Sequence, residues 1–564
     1  LKVSSGTVIT GGTIQTSGTG FVEVISGSVF DNIRLLGQAS HANARDTTIT
    51  NGLVNDGTWA LNSLGSLTDM TFSGSQTLSG SGAVVMSDNI GNRIVTNNTI
   101  LTHAAGHTIR GAGKILANTG GMINQGTILA DCVNALAIDP NGLGFVNLGT
   151  MRASGSGGFL FNAGTFTNAG NLIEIEDGSR LKVSSGTVIT GGTIQTSGTG
   201  FVEVISGSVF DNIRLLGQAS HANARDTTIT NGLVNDGTWA LNSLGSLTDM
   251  TFSGAQTLSG GGSVVMSDNL GNRILASGGV LTQAAGHTIR GAGRLLHNAG
   301  GMINQGLILA DGINALQIDP NALGFVNQGI VRASGTGGVT LVQSGTQIDN
   351  RGIMLIDAAS LVQVTGSGVY YQTAGQTLLN ATTSLLIANI GLDIQGGRIG
   401  GIGTIRANSG NGTLSNAGGT LAAGLSAGIL TIDGDYEQLA GGSTEVELFG
   451  YTLGTEYDFI DVTGEAFLAG TLDVLLGAVF ATTIMIGDEF EILRTGFGID
   501  GPYDILSVNF AGFGFDQEIR GNSLWLVVNA LGQVGQVPEP APLALLLFAL
   551  GALTLRRRFS HLTG

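Results

Sequence analysis

The sequence predicts an all-β chain wound as a parallel β-helix (β-solenoid), and three observations lead there. Glycine supplies 94 of 564 residues against 6 prolines, with no Gly-X-Y period, while apolar residues reach 42% and charged residues only 11%. That composition excludes collagen and charge-driven disorder and leaves a turn-rich β architecture able to bury a long core. Second, residues 1–74 recur unchanged at 181–254, and similarity continues with scattered substitutions to about residue 340, a period of 180 residues. Third, a shorter period runs inside the long one: Asn124-Gln125-Gly126, Asn147-Leu148-Gly149 and Asn168-Ala169-Gly170, then Asn304-Gln305-Gly306, Asn327-Gln328-Gly329 and Asn350-Arg351-Gly352, spaced 21 to 23 residues. A turn and short strands repeated at that interval are the signature of a solenoid rung.

The first unit, 1–180, enters a strand pattern at Leu1-Lys2-Val3 without an initiator Met or leader, so a secretory signal and further repeats are expected upstream. Asn and Gly tolerate positive φ, so each Asn-x-Gly is expected to turn the chain ahead of strands such as Thr127-Ile128-Leu129 and Ile353-Met354-Leu355. Stacked rungs place Asn over Asn, where side-chain amides can bond along the axis. Alternation of period two points Ile173 and Ile175 inward with Glu174 and Glu176 outward, and treats Val446 and Leu448 against Glu445 and Glu447 in the same way.

The second copy, 181–352, differs by exchanges that keep a core's volume and polarity: Ile90 to Leu270, Ile115 to Leu295 and Met151 to Val331. Ser154-Gly155-Ser156-Gly157-Gly158 and Gly396-Gly397 are too short for linkers and read as corners. Asn168-Ala169-Gly170-Asn171-Leu172-Ile173 passes into Leu181-Lys182-Val183 with no linker composition, so one axis without a hinge is expected between 150 and 200. Degenerate rungs fill 353–420. The single cysteine, Cys132, has Gly312 as its counterpart and forms no internal disulfide, which leaves stability to packing and backbone hydrogen bonds.

Two resemblances refine the rest of the chain. In 421–530, the run Leu421 to Ile432 with its Gly-x-Leu/Ile-Thr-Ile step, then Asp433-Gly434-Asp435-Tyr436, Tyr457 to Val462 and Leu468 to Val474, resembles the C-terminal passenger segment of autotransporter adhesins, which caps their β-helix. The family's prolines are replaced here by Ala422 or Ala423 and Ala427, and no outer-membrane barrel follows. In 531–564, Val537-Pro538-Glu539-Pro540 leads into a 15-residue uncharged stretch, 541–555, then Arg556-Arg557-Arg558. A helix of that length rises about 22 Å, short of the roughly 30 Å hydrocarbon core, and the arginines hold its end in the cytoplasm. The order of parts resembles the PEP-CTERM sorting signal of Gram-negative, exopolysaccharide-making bacteria. The resemblance implies export, a transient inner-membrane anchor formed by a single C-terminal transmembrane helix, processing by an exosortase near Pro538-Glu539-Pro540, and delivery to the cell surface or extracellular matrix. Parallel β-helices of secreted proteins are mostly right-handed, and that hand is the expectation here.

Chemistry-bearing motifs are sparse. A net charge of −17, with no basic patch outside the tail, argues against nucleic acid as a partner. His103 and His107, taken as one extended strand, would sit about 13 Å apart, too far for one metal ion, and are expected at the surface or a corner. Asp131 with Asp139, and Asp311 with Asp319, are the candidate carboxylates for glycan chemistry, but Asp139-Pro140-Asn141-Gly142 and Asp319-Pro320-Asn321 are strong turn sequences. His107-Thr108-Ile109-Arg110 with Gly111-Ala112-Gly113 lacks the βαβ setting of a phosphate loop. Between Asp433 and Asp500 lie fourteen Asp or Glu against Arg494 alone. These are the candidate calcium ligands, with a solvated outer face as the preferred alternative.

No catalytic, cofactor-binding or metal residue is therefore assigned. The favoured class is a non-enzymatic surface or matrix rod, adhesive or structural in exopolysaccharide or biofilm, whose lateral faces bind glycans or a neighbouring cell through many weak contacts. The alternative is a carbohydrate-active lyase or hydrolase on the same scaffold. An enzyme requires one cleft with convergent acid, base and aromatic platform, whereas Trp59 and Trp239 sit at equivalent repeat positions, as a repeated structural or binding spot would.

Overall fold

A computed structural model describes residues 1–25, 27–205, 207–343 and 347–532. The chain is all-β, a parallel β-solenoid of about 19 turns in all with almost no helix. Leu1–Leu392 forms one compact unit, and the chain from Asp393 forms a second. The sorting motif Val537 to Pro540, the apolar stretch 541–555 and Arg556, Arg557 and Arg558 lie outside the described residues.

In the first unit each coil has three faces, formed by three strands or, as at Ser28–Leu36, by one long strand that covers two of them. Gly121–Asn124, Thr127–Ala130 and Leu136–Ile138 make one coil. Phe145–Asn147, Thr150–Ala153 and Phe159–Phe161 stack on it in parallel, with Met122 over Phe145, Ile128 over Met151 and Leu136 over Phe159. Alternation on each strand sends every second side chain inward, so the core is a column of aliphatic and aromatic layers. Ile173 and Ile175 are buried, as are Ile115, Leu295, Met151 and Val331. Each such side chain contributes roughly 1.5–3 kcal/mol. At the junction of the copies the layers are aromatic: the Phe161 and Phe166 rings stack at 4.2 Å, and Phe145 lies 5.7 Å from Phe166. Pairing runs through 150–200 without interruption, Met151 to Ile173 to Ile194 on one face and Phe159 to Leu181 to Val202 on another.

The Asn-x-Gly motifs sit where expected, held by the expected stacking of amides along the axis and not by left-handed backbone at Asn. None of Asn124, Asn147, Asn168, Asn304, Asn327 and Asn350 has positive φ. They end strands, or in the case of Asn168 directly follow one, in ordinary conformation and point inward, where Asn124 Nδ2 donates to Asn147 Oδ1 (2.9 Å), Asn147 Nδ2 to Asn168 Oδ1 (2.7 Å), and Asn304 through Asn327 to Asn350 likewise (2.8 Å each). Glycine follows because coils touch there: a Cβ on Gly149 would lie 2.2 Å from the Gly126 carbonyl oxygen.

The long repeat is not a whole number of coils. Starting from Lys2, the outward residues stacked along one face are Glu23, Ser40, Ala60, Val85, Arg110, Leu129, Arg152 and Glu174. That is eight coils, and Lys182, the counterpart of Lys2, belongs to the next strand, Arg180–Val183. Lys182 stacks instead on Leu160, Ala137, Lys114, Arg93 and Asp69. If the Lys2 face is face 1 and the chain then visits faces 2 and 3, every side chain of the second copy sits one face further round than its counterpart. The eight rungs match the expected spacing, but the copies do not present the same residues on the same lateral face.

In the second unit, parallel stacking continues from Ile429–Asp433 to Phe459–Val462 and on to Glu489–Thr495. Direction then reverses. Ser523–Ala530 pairs antiparallel with Glu489–Thr495 and also with Gly514–Arg520, joined to the latter through Gly521 at φ +62°. The hairpin strand Gly514–Arg520 carries Asp516, Glu518 and Arg520, charges of the kind that deter further strand addition.

Candidate functional site

The residues singled out from sequence are mostly structural. Trp59 and Trp239 are buried, and each indole N–H donates to a buried histidine, His41 or His221, at 2.9 Å. They are core anchors, not a binding spot. His103 and His107 are also buried, and contrary to the extended-strand estimate His103 Nε2 lies 3.0 Å from His107 Nδ1, because the chain turns between them at Gly106, φ +86°. The two rings belong to one buried chain of amides and imidazoles. Asn55 Nδ2 lies 3.0 Å from His107 Nε2, and His103 Nδ1 lies 2.7 Å from Asn124 Oδ1, which leads into the asparagine ladder. An amide nitrogen only donates and an amide oxygen only accepts, so both imidazoles carry their proton on Nδ1 and are neutral. Burial agrees, holding His103 down at about 4 and His107 at about 3.

Asp131 and Asp139 do not converge. Asp131 follows a face-1 strand and pairs with Arg110, as Asp311 pairs with Arg290. Asp139 follows a face-2 strand, on the next edge of the coil, and burial raises its pKa. Asn141 Oδ1 accepts the Leu143 N–H at 2.9 Å, closing the turn that the sequence implied.

The surface feature that stands out lies on the edge between faces 1 and 2 of the first copy. Loops 62–67 and 131–135, and a bulge at 87–91 within the strand Ala83–Thr96, carry Leu64, Val133 and Ile90 outward. Leu64 is 84% exposed and Val133 72%, and their counterparts Leu244 and Ile313 are 85% and 78% exposed. Ile90 and Leu270 therefore belong to this ridge, not to the core where the sequence put them. The ridge is held by hydrogen bonds between coils. Asn43 Oδ1 accepts Leu64 N–H (2.7 Å), Asn92 Oδ1 accepts Ser63 N–H (2.9 Å), and Asp88 Oδ1 accepts Asn134 N–H (2.8 Å) from two coils away. Gly91 lets the bulge lie against its neighbour, since a Cβ there would come within 2.4 Å of Ser63 Oγ.

The second copy rebuilds the ridge with Asn223, Asn272 and Asp268 (2.8, 2.9 and 2.8 Å), one edge further round, between faces 2 and 3. The only hint in the sequence was Leu64 and Leu67 inside a Ser/Gly/Asn-rich turn, repeated intact as Leu244 and Leu247.

In the second unit the acidic run is largely absorbed by the fold. Asp433 pairs with Arg406, Glu445 with Arg398 (2.6 Å) and Glu491 with Arg494 (2.9 Å). Glu456 Oε2 accepts the Tyr451 and Thr452 N–H groups. Asp458 is buried and accepts the Gly428 and Glu447 N–H groups, each at 2.8 Å; burial first, then Glu447 and Glu445, push it up to about 8 against those two donors. Among the described residues no three His, Cys, Asp or Glu side chains are grouped to hold a metal ion. One shallow concavity of about 220 Å³ does bring Glu465, Phe467 and Asp500 together, with Phe467 beside Asp500 on adjacent strands.

No family model and no curated protein matches this chain. Among the described residues no helix is long and apolar enough to cross a membrane.

Proposed function

We propose that the chain is a non-enzymatic structural or adhesive component of the cell surface or extracellular matrix, exported, anchored in the inner membrane by a helix over 541–555 and processed by an exosortase at Val537-Pro538-Glu539-Pro540. The coil is right-handed in this reading, and the antiparallel hairpin closes the solenoid as a cap does in autotransporter passengers. The observation that carries a binding role is the duplicated ridge. Rigid loops that display Leu, Ile and Val in water cost solubility and add nothing to the core, which marks an interaction surface. Glycans of the matrix and the processing exosortase are the partners this reading requires.

Replacing Pro538-Glu539-Pro540 by alanines tests the sorting half. Uncleaved protein retained in the inner membrane is expected; unchanged delivery to the surface refutes it. The second reading, a carbohydrate-active enzyme, rests on the Glu465, Phe467 and Asp500 concavity, which pairs two carboxylates with an aromatic side chain. Glycan depolymerisation by the purified chain that Glu465→Gln abolishes would establish that reading and overturn ours.

A further inference from the structure

Resting on the matrix reading above, we propose that the partner of each ridge is the same ridge on a second copy of this chain, and that the one-face offset between the two ridges makes the product an open string of copies instead of a closed dimer.

Four observations select that occupant. The ridge is aliphatic, with Leu64, Leu67, Ile90 and Val133 exposed and no aromatic residue among them, so it lacks the flat platform on which a sugar ring stacks. Its local charge is balanced, Arg45 and Arg110 on this edge against Asp88 and Asp131, in a chain of net charge −17. Two such chains repel elsewhere and approach most readily where the surface is neutral. The ridge is pre-organised, since Asn43, Asn92 and Asp88 fix its loops from neighbouring coils, so pairing orders little that is mobile. Each chain also carries the ridge twice with the same residue types, and a patch paired with itself across a twofold axis is the commonest way identical chains associate.

Valency and direction follow from the register. A few protruding side chains cover much less than the roughly 800 Å² per partner of a stable interface, so one ridge pair is weak and reversible. Two ridges per chain give each copy two such weak contacts, and avidity between one pair of chains requires that both contacts form at once. Were the repeat a whole number of coils, both ridges would lie on one edge and two chains could zip together along it. Because Lys182 stands one strand past the eighth coil from Lys2, the ridges lie on successive edges. A partner bound at 1–180 thus leaves the ridge of 181–352 facing another direction, free to take a third chain.

The test is sedimentation of the full chain in mild detergent, where any association through the tail is common to every variant. Leu64→Asp with Val133→Asp removes the first ridge, Leu244→Asp with Ile313→Asp the second, and the four together remove both; circular dichroism checks that each variant keeps its β content. Wild type should grow beyond the dimer as concentration rises, each single-ridge variant should stop at the dimer, and the quadruple variant should show no ridge-dependent growth. Wild type that sediments like the quadruple variant, or single-ridge variants that grow like wild type, would overturn the proposal. The alanine variant of Pro538-Glu539-Pro540 is scored separately by cell fractionation. Correct sorting without self-association sinks this inference alone, and self-association without surface delivery sinks the matrix reading alone.

Discussion

Replacing Asn147 by glycine separates two explanations for the asparagine that recurs every coil. If Asn served to relax a left-handed turn, glycine would be as good or better. The geometry says otherwise: Asn147 is buried, its Oδ1 accepts from Asn124 Nδ2 (2.9 Å) and Gly149 N–H (3.3 Å), and its Nδ2 donates to Asn168 Oδ1 (2.7 Å). Truncation strips partners from two buried groups, on Asn124 and Asn168, and from the half-buried Gly149 N–H. At about 1–3 kcal/mol per unsatisfied group, with partial relief from relaxation or water, the loss should be about 3–5 kcal/mol for Asn147→Gly and nearly as much for Asn147→Ala. A solenoid of this length does not unfold as one two-state unit, so the readout is local. Amide hydrogen exchange over Gly121–Asn124, Phe145–Asn147 and Gly164–Thr167 should accelerate by two or more orders of magnitude, while Asp393 onward is unchanged. Exchange in Asn147→Gly within a factor of about three of wild type, a difference of about 0.6 kcal/mol, would refute the ladder explanation.

Copy two offers the reverse experiment. Gln283 replaces His103 there, and both Gln283 Oε1 and His287 Nδ1 are buried without a partner, so Gln283→His should rejoin the chain and slow local exchange by the equivalent of about 1–3 kcal/mol. The units should also respond to pH in opposite senses. In the first unit, burial holds His41, His107 and His221 at about 3 and His103 and His287 at about 4. The unfolded chain therefore takes up protons from 6.5 downward while the fold does not, and stability falls as pH drops from 6.5 toward 3. In the second unit, Asp458 is raised to about 8. The fold keeps a proton that the unfolded chain releases near 4, so stability there falls as pH rises from 4 to 8; exchange measured at pH 4, 6 and 8 would show both trends, and parallel trends in the two units would contradict them. Deleting 181–361 should leave the remaining coils as protected as before, because each coil sees only its neighbours and Val362, which stacks on Val339, then takes the place of Leu181 on Phe159; collapse of protection throughout 1–180 would contradict this.

Much of the fold was legible in the sequence because a solenoid writes its stacking interval directly into the chain. Ile173, Ile175, Val446 and Leu448 alternate with glutamates and are buried, and the Asn-x-Gly interval of 21 to 23 residues is the length of one coil in that stretch. What could not be read depended on corners. The distance between His103 and His107 departs from extended-strand spacing because the chain bends at Gly106. Ile90 reads as core because its exchange with Leu270 conserves volume, which a ridge does equally well. The rotation of the second copy was illegible for a sharper reason: coils vary from 17 residues between Glu23 and Ser40 to 25 between Ala60 and Val85. No count of residues alone divides 180 into coils, and only the pairing register shows the remainder. The candidate site failed for a related reason, since Leu64, Ile90 and Val133 are scattered in sequence and meet only because a short corner at Gly111-Ala112-Gly113 lets loop 131–135 reach back to Asp88.

That remainder bears on how such a chain can duplicate at all. In a globular domain, inserting 180 residues that shift everything downstream by a third of a turn would destroy the core. Here each coil meets only the coils before and after it, and all three faces offer the same thing inward, an alternating strand with apolar layers. Leu181 therefore stacks on Phe159 as readily as Val202 stacks on Leu181, although Leu181 lies one face round from the position of Leu1. Packing is indifferent to which face a strand occupies, but the outside is not, because loops project from particular edges. A duplication that conserves every local contact can thus rotate its display loops by one face with no cost to the core. A scaffold of this kind can display the same aliphatic loops in a new direction by copying itself, with no change of residue type needed on the ridge.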